Sequence, residues 1–293
     1  MSEFRIGDLV ARKSYDFDVL FKIVEIIDHS GKERVYILKG VHMRVLADAP
    51  GNDLVRQTAK EVKRFTANND NRVNKNIDYV INARKIRNSA KGIKGAFFHR
   101  TKNSFSRAGK VLHLDGDKDY LDTCLEKYEE MELKATGVHV PESQQPAAVG
   151  GLLKEHIPDI VVLTGHDALV KGYKDINDIN YYRNSRYYAA AVKEARKFEP
   201  SYDDLVIFAG ACQSHFEAIL EAGANYASSP NRVLIHALDP VFVCEKIAFS
   251  GVDNIVSTED LISRTITGVE GIGGLQTRGK YREGLPKSPY LKG

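Results

Sequence analysis

The chain has 293 residues and a formal net charge of +3, with 43% hydrophobic and 28% charged residues. These values are ordinary for a globular protein, and the net charge is too small to indicate nucleic-acid binding by itself. No segment approaches the roughly 18 apolar residues of a membrane span, and the N-terminus has no hydrophobic signal core, so we expect cytoplasmic synthesis.

Residues 1–50 have the pattern of a small β module. Three strand-like runs cover residues 4–11, 19–27 and 34–40, and turn-forming residues separate them. The opening Gly7-Asp8-Leu9-Val10, followed by short hairpins, resembles SH3-like barrels. Two roles stay open for such a module: a structural or partner-docking barrel, or a nucleic-acid-binding one.

Residues 51–109 are predicted to form a helical and basic flexible linker. The Asn-rich patch at residues 68–71 predicts an interruption and therefore two helices. Between residues 80 and 114 there are nine Lys or Arg residues and no acidic residue. This pattern is typical of a solvated basic linker, but it also fits a segment offered to a protease or an arm that contacts RNA or DNA.

From residue 110 onward, strand and helix patterns alternate. Strands are predicted at 111–117, 135–140, 159–164, 204–209 and 231–240, with helices at 120–133, 149–156, 180–198 and 214–222 between them. Regular alternation predicts an α/β domain over residues 110–293, with a largely parallel sheet sandwiched by helices.

Two of these buried strands end close to a histidine and a cysteine. The run at 159–164 leads to Gly165-His166-Asp167, and the run at 204–209 leads to Gly210-Ala211-Cys212. The carboxyl ends of neighbouring parallel strands share one sheet edge, so His166 and Cys212 should meet there. An imidazole and backbone N–H groups would favour the thiolate of Cys212, whereas the alternative is a buried, inert thiol.

The backbone N–H groups of Gly165, Asp167 and Cys212 are our candidates for an oxyanion hole. Asp167 has an alternative role in orienting His166. His215 lies three positions after Cys212 and is a weaker candidate base, because a helix starting near the cysteine would point it away from substrate.

The remaining cysteines and histidines are predicted to be structural. The three cysteines are odd in number and widely spaced, which argues against a disulfide framework and a CxxC zinc site. Cys124 and Cys244 are expected in the core, as are the strand histidines His113, His139 and His236. We expect no metal site and no cofactor. No carboxylate loop has EF-hand spacing.

His166 precedes Cys212 by 46 positions, a spacing close to that of the caspase His and Cys. The blocks Thr164-Gly-His-Asp167 and Gly210-Ala-Cys-Gln-Ser214 resemble the caspase-like cysteine peptidases. Two departures stand out: Asp167 replaces the usual glycine after the histidine, and Gly210 replaces the caspase glutamine. The resemblance therefore implies the fold and the His/Cys dyad, without caspase specificity for aspartate. A calcium requirement, as in some caspase-like peptidases, stays open.

A closer resemblance covers nearly the whole chain. The opening at residues 4–10 and the blocks 163–168, 208–215 and 227–232 are similar to the YabG family of sporulation-specific peptidases. This resemblance implies a cysteine peptidase made in the mother cell of a sporulating bacterium and associated with the spore coat. It implies cleavage of spore-coat and cortex-lysis precursor proteins after Arg or Lys, with self-processing. Protein substrates are the expected partners, and nucleic acid is not expected.

Basic specificity requires a partner for a buried cation in the substrate. Asp115 and Asp117, at the end of the first core strand, and Asp239, after the last, are the predicted specificity carboxylates, with Gly210 leaving room beside them. Their alternative role is to form turns and cap helices. Within the basic segment, the candidate self-cleavage residues are Arg84, Arg87, Arg100 and Arg107.

A different class of function is a non-catalytic scaffold. In that interpretation the β module and the basic segment recruit nucleic acid or a coat protein, and salt-dependent binding would not require Cys212.

Overall fold

The computed structural model describes residues 4–28, 33–94, 104–288 and 290. Its N-terminal part is a five-stranded antiparallel sheet in the order β4-β3-β2-β1-β5. The strands are β1 (Leu9–Arg12), β2 (Phe21–Ile27), β3 (Val35–Gly40), β4 (Leu46–Pro50) and β5 (Leu54–Arg56). Alternate positions such as Val10, Ile23 and Leu38 are fully buried, which is the period expected for strands with one face on a core. The sequence pattern predicted three of the five strands.

Helix α1 (Ala59–Lys94) follows as one continuous element, so the predicted break at residues 68–71 is wrong. Thr58 and Glu61 form a capping box at its start, with the Thr58 N–H 2.7 Å from the Glu61 carboxylate. Its buried face, Val73, Ile77 and Val80, packs on the main core. Tertiary packing of this face outweighs the weak helix propensity of the asparagines.

The central sheet has six strands in the order β13-β11-β10-β9-β7-β8. Five are parallel: β7 (Val111–Asp115), β8 (Ala135–His139), β9 (Ile160–Thr164), β10 (Val206–Ala209) and β11 (Tyr226–Ser228). Strand β13 (Ile272–Gly274) is antiparallel at one edge. The α/β class with a mostly parallel sheet is confirmed, and β7, β9 and β10 are buried along their whole length.

Helices cover both faces of this sheet. One core contains residues of α1, α2 (Lys118–Glu130), α6 (Asp239–Ala248) and α7 (Thr258–Ile262). The core on the other face contains residues of α3 (Gln145–His156), α4 (Ser185–Phe198) and α5 (Phe216–Glu221). Two small antiparallel pairs complete the chain: β12 (Ile255–Val256) with β14 (Thr277–Arg278), and β6 (Phe105–Arg107) with β15 (Arg282–Gly284).

The strand predicted at 231–240 does not form. The segment is a loop in which His236 makes an isolated bridge with Met43, and α6 already begins at Asp239. Pro240 is compatible with the first turn of a helix, where its missing N–H costs nothing.

The N-terminal sheet contacts the central domain through the segment between β3 and β4. The Arg44 N–H donates to the Ile235 carbonyl at 3.1 Å, and the Ala237 N–H donates to the His42 carbonyl at 2.9 Å. The Tyr120 hydroxyl lies 2.6 Å from the carbonyls of both Gly40 and Met43. This segment therefore lies against the loop that replaces the predicted strand. Within the described ranges, no helix is both long and apolar enough to cross a membrane.

Candidate active site

The predicted catalytic pair lies at the carboxyl ends of two adjacent strands. His166 follows β9 and Cys212 follows β10, and these strands pair in parallel with Leu163 opposite Ala209. On its other side β9 pairs with β7, which leads to Asp115 and Asp117. One edge of the sheet thus collects an imidazole, a thiol and two carboxylates, as the strand pattern predicts.

Asp117 holds the imidazole of His166. The His166 Nε2 lies 2.8 Å from Asp117 Oδ2, and the Tyr120 ring centroid lies 5.6 Å from that of the imidazole. Nδ1 of His166 is buried and has no hydrogen-bond partner among the described residues. One ring nitrogen is therefore fixed by a carboxylate, and the other remains free to exchange a proton.

The backbone of His166 is fixed as firmly as its ring. Its N–H donates to Glu142 Oε1 at 2.7 Å, while its carbonyl accepts from Asn184 Nδ2 at 2.8 Å and from the Tyr188 hydroxyl at 3.1 Å. These contacts set the direction in which the side chain leaves the strand. A preorganised base loses little further entropy on reaction.

Asp117 also caps helix α2. Its Oδ1 accepts from the backbone N–H groups of Asp119 and Tyr120, at 2.9 and 3.1 Å. Burial opposes its charge, but hydrogen bonds from His166 and Lys39 outweigh burial and hold the pKa of Asp117 well below its usual range. The carboxylate is therefore ionised and able to stabilise an imidazolium.

The thiol of Cys212 is closed off from solvent. Its side chain is 0% exposed, and Sγ accepts a hydrogen bond from the Ile235 N–H at 3.2 Å. Burial raises the pKa of Cys212 to about 12, against a smaller lowering by the Ile235 N–H. The resting thiol is thus protonated, and it could act as a nucleophile only if a base removed its proton.

Asp167 connects the loop that carries His166 to the loop that carries Cys212. Its carboxylate accepts from Ser185 Oγ and from Ser214 Oγ, the latter at 2.9 Å, and Ser214 Oγ accepts in turn from the Ala211 N–H at 2.9 Å. Burial raises the pKa of Asp167 to about 6, although these donors partly offset the effect. This buried network connects the turn after His166 to the turn that carries Cys212.

Comparison with known proteins identifies the family of the chain. The family model described as YabG peptidase U57 matches residues 5–286. The chain belongs to the YabG peptidase family. It is 41% identical over 285 residues to the "Sporulation-specific protease YabG" of Bacillus subtilis (strain 168), covering 97% of this chain and 98% of that protein. It is therefore a protease with a role in sporulation, which argues against the non-catalytic scaffold.

The three predicted specificity carboxylates of this YabG-family chain have different surroundings. Asp115 is fully buried, and its Oδ2 lies 2.6 Å from Nη1 of the fully buried Arg44. Asp239 is fully buried in the first turn of α6 and accepts from the Thr267 hydroxyl and from the Ile266 N–H. Asp117 differs because it bonds to His166 and shares the Lys39 ammonium with the exposed carboxylate of Asp119. Of the three, it is the carboxylate best placed to meet a substrate.

Local structure explains the two glycines that lie close to His166 and Cys212. A Cβ on Gly165 would lie 2.3 Å from Glu142 Oε1, so the absent side chain makes room for the carboxylate that holds His166. Gly210 adopts a φ of +108°, which disfavours other residues. The backbone N–H groups of Gly165, Asp167 and Cys212 donate to no acceptor in the part of the chain that the structure describes.

The four candidate self-cleavage residues are spread over different surroundings. Arg84 lies within α1, 3.3 Å from Glu245 and over the Phe249 ring, and Arg87 lies in the same helix. Arg107 is exposed in β6, opposite Arg282. Arg100 lies outside the described residues. Cleavage after Arg84 or Arg87 would require the helix to unwind, since a peptidase needs an accessible backbone.

The other predicted histidines and cysteines lie apart from the pair. His215 caps α5 and its Nε2 lies 2.8 Å from the Asn177 carbonyl. His113, Cys124 and Cys244 are fully buried, and His139 is exposed. No group of three possible metal ligands occurs among the residues described. Sequence reasoning missed Glu142, Lys39 and Tyr120, which have no motif of their own and reach the site through tertiary structure.

Proposed function

We propose that the chain is a cysteine endopeptidase in which Cys212 is the nucleophile, His166 the general base and Asp117 the group that orients His166. The observation that carries this proposal is the state of the imidazole: Nε2 is bound to Asp117 at 2.8 Å and Nδ1 is buried without a partner, at the end of the strand adjacent to the Cys212 strand. An oriented base beside a thiol is the arrangement that nucleophilic acyl transfer requires.

In the proposed reaction, His166 Nδ1 takes the proton of the Cys212 thiol as Sγ attacks the carbonyl carbon of the scissile peptide bond. The negative charge that develops on the carbonyl oxygen is stabilised by the unoccupied N–H groups of Gly165, Asp167 and Cys212. The imidazolium, stabilised by Asp117, then protonates the departing amine. Water, deprotonated by His166, hydrolyses the thioester and restores the thiol.

Substrate access requires a change at Ile235, because Sγ of Cys212 is buried beneath that residue. The loop at 231–238 belongs to no strand ladder, and one isolated bridge between His236 and Met43 ties it to the N-terminal sheet. Its displacement would also remove the shielding that raises the pKa of the thiol. The proposed enzyme is therefore closed at rest and opens when substrate binds.

The proposed substrates are spore-coat and cortex-lysis precursor proteins, cleaved after Arg or Lys, in the mother cell and at the spore coat. This follows from the resemblance to the YabG family, together with an ionised Asp117 beside the pair. Self-processing is proposed in the basic segment, with Arg107 in the most accessible described position. We also propose three regions: residues 1–50 as the β module, 51–109 as a connecting region, and 110–293 as the peptidase domain.

The decisive experiment compares Cys212 with Cys244, two of three cysteines that the structure makes equivalent in burial. Cys124, Cys212 and Cys244 are all 0% exposed, and burial raises the pKa of each thiol to about 12. Cys212→Ala should abolish hydrolysis of a fluorogenic peptide with Arg before the scissile bond, whereas Cys244→Ala should retain it. Both proteins should fold, as judged by circular dichroism.

Intact mass after equal incubation tests self-processing in the same proteins. The wild type and Cys244→Ala should lose a fragment that ends in Arg or Lys, and Cys212→Ala should stay at full length. Equal peptide hydrolysis by Cys212→Ala and the wild type would refute the thiol mechanism. Equal shortening of all three proteins would point to a contaminating protease acting on the basic segment.

A further inference from the structure

Lys39 of strand β3 reaches into the candidate active site from the N-terminal sheet. Its Nζ lies 2.7 Å from Asp117 Oδ1 and 2.7 Å from Asp119 Oδ2. It also lies 4.9 Å from the centroid of the Tyr120 ring. The second oxygen of Asp117 holds His166. Asp117 thus lies between the Lys39 ammonium and the proposed base, His166.

The groups around this ammonium are those that recognise a basic side chain. Two carboxylates supply charge, and an aromatic face accepts a cation. The Tyr120 ring is held in place because its hydroxyl donates to main-chain carbonyls at 2.6 Å. The same ring lies 5.6 Å from the imidazole of His166, measured between ring centroids. The cation position therefore adjoins the imidazole.

The two carboxylates differ in accessibility. The Asp117 side chain is 10% exposed, whereas that of Asp119 is 79% exposed. The site consequently has a closed side next to His166 and an open side through which a substrate side chain can enter. The Lys39 side chain is 14% exposed, and its ammonium is carried by a flexible four-carbon chain. The ammonium can therefore leave the carboxylates while β3 stays paired with β2 and β4.

We propose that Asp117, Asp119 and Tyr120 form the subsite for the Lys or Arg side chain of a substrate, and that Lys39 fills it at rest as an internal competitor. This inference rests on the proposed peptidase function and names the residues that give it basic specificity. A substrate cation that replaces the Lys39 ammonium leaves neither carboxylate without a partner, so the exchange carries no penalty for an uncompensated charge.

The test is steady-state kinetics on three peptides that differ only in having Arg, Lys or Leu before the scissile bond. Removing the competitor in Lys39→Met should lower KM for the Arg and Lys peptides about threefold to tenfold, the scale of one typical net hydrogen bond. The KM for the Leu peptide should change by less than about twofold, a change worth less than 0.5 kcal/mol, because its side chain does not enter a subsite for cations. Lys39→Arg keeps the cation and should resemble the wild type.

Asp119→Asn tests the other half of the subsite. It should raise KM for the Arg and Lys peptides and leave the Leu peptide unaffected. Asp122→Asn is the matched control, because Asp122 is an exposed carboxylate in the same helix that pairs with Lys118 at 2.6 Å. A lower kcat without a lower KM in Lys39→Met would instead make Lys39 a positioning residue for Asp117. Unchanged KM values in both variants would also overturn the proposal.

A binding measurement separates this inference from the thiol mechanism. Agmatine, an alkylguanidinium, is titrated calorimetrically into Cys212→Ala protein with and without Lys39→Met. Tighter binding without Lys39 supports the subsite even if Cys212 proves not to be the nucleophile. Equal binding, or none, refutes the subsite even if peptide hydrolysis depends on Cys212.

Discussion

Arg44→Met tests the buried ion pair that joins the N-terminal sheet to the central sheet. Arg44 and Asp115 are both 0% exposed, and Nη1 lies 2.6 Å from Oδ2. Arg44 also donates to the Ala237 carbonyl at 3.3 Å and to Cys124 Sγ at 3.4 Å. Burial opposes the charge of Asp115, but the guanidinium, the His113 ring and the Asp117 N–H together outweigh burial and hold the pKa of Asp115 well below its usual range.

The expected loss follows from the partners that Asp115 would keep. Without Arg44, its carboxylate still accepts from Thr164 Oγ1 at 2.9 Å and from the Asp117 N–H at 2.9 Å, but no cation balances its charge. Breaking a buried pair in this way costs about 3 to 5 kcal/mol, and the remaining donors favour the lower end, about 3 kcal/mol. Adding Asp115→Asn should restore part of the loss, because it removes the unbalanced charge.

Urea unfolding followed by far-ultraviolet circular dichroism measures this loss. Arg186→Met is the control, because Arg186 is exposed in α4 and its removal should change the free energy of unfolding by less than about 0.5 kcal/mol. Asp115 has a lowered pKa in the folded state, so the pair stabilises the protein above the ordinary carboxyl pKa and loses this effect as pH falls. The difference in the free energy of unfolding between wild type and Arg44→Met should therefore decrease below about pH 4. A loss under about 1 kcal/mol at pH 7 would refute the reasoning.

Two further predictions concern carboxylates at the site. Asp117→Asn should lower kcat about 10²- to 10⁴-fold, measured on the Leu peptide so that basic specificity does not contribute, because His166 loses its orienting anion; an unchanged kcat would remove Asp117 from the mechanism. Burial raises the folded-state pKa of Asp167 to about 6, so its contribution to the free energy of unfolding should increase as pH falls from about 6 towards 3.8. Melting temperatures of wild type and Asp167→Asn across that range test this, and parallel pH dependences would contradict it.

The sequence predicts the middle of the fold better than its connections. Strands β7, β9 and β10 are short β-branched runs. Because these strands are buried on both faces, their apolar runs can be recognised as strands in the sequence. Helix α1 is harder to predict, because its continuity past residues 68–71 depends on contacts with residues far away in the sequence. Asn69 Oδ1 lies 2.6 Å from His236 Nε2, and Asn76 Nδ2 donates to the Arg264 carbonyl at 3.1 Å. No local pattern reports these partners.

The sequence likewise predicts only part of the candidate site. Parallel pairing brings the ends of β9 and β10 together, so topology alone predicts that His166 and Cys212 share one edge. The sequence also directs attention to Asp117, but as a specificity residue, because its bond to His166 depends on where α2 begins. The Asp115-Gly116-Asp117 turn after a core strand was the available signal for a carboxylate beside the histidine. Lys39 gives no signal, since it comes from a separate sheet.

Ile235 connects the thiol to the N-terminal sheet through its own peptide groups. Its N–H donates to Cys212 Sγ at 3.2 Å, and its carbonyl accepts from the Arg44 N–H at 3.1 Å. Any movement of Ile235 that uncovers the thiol therefore strains or breaks a contact with the segment between β3 and β4. The same segment follows Lys39, which binds the carboxylate that holds His166. Exposure of the Cys212 thiol should thus require release of the segment between β3 and β4, because one short stretch of chain bonds to the surroundings of both Cys212 and His166.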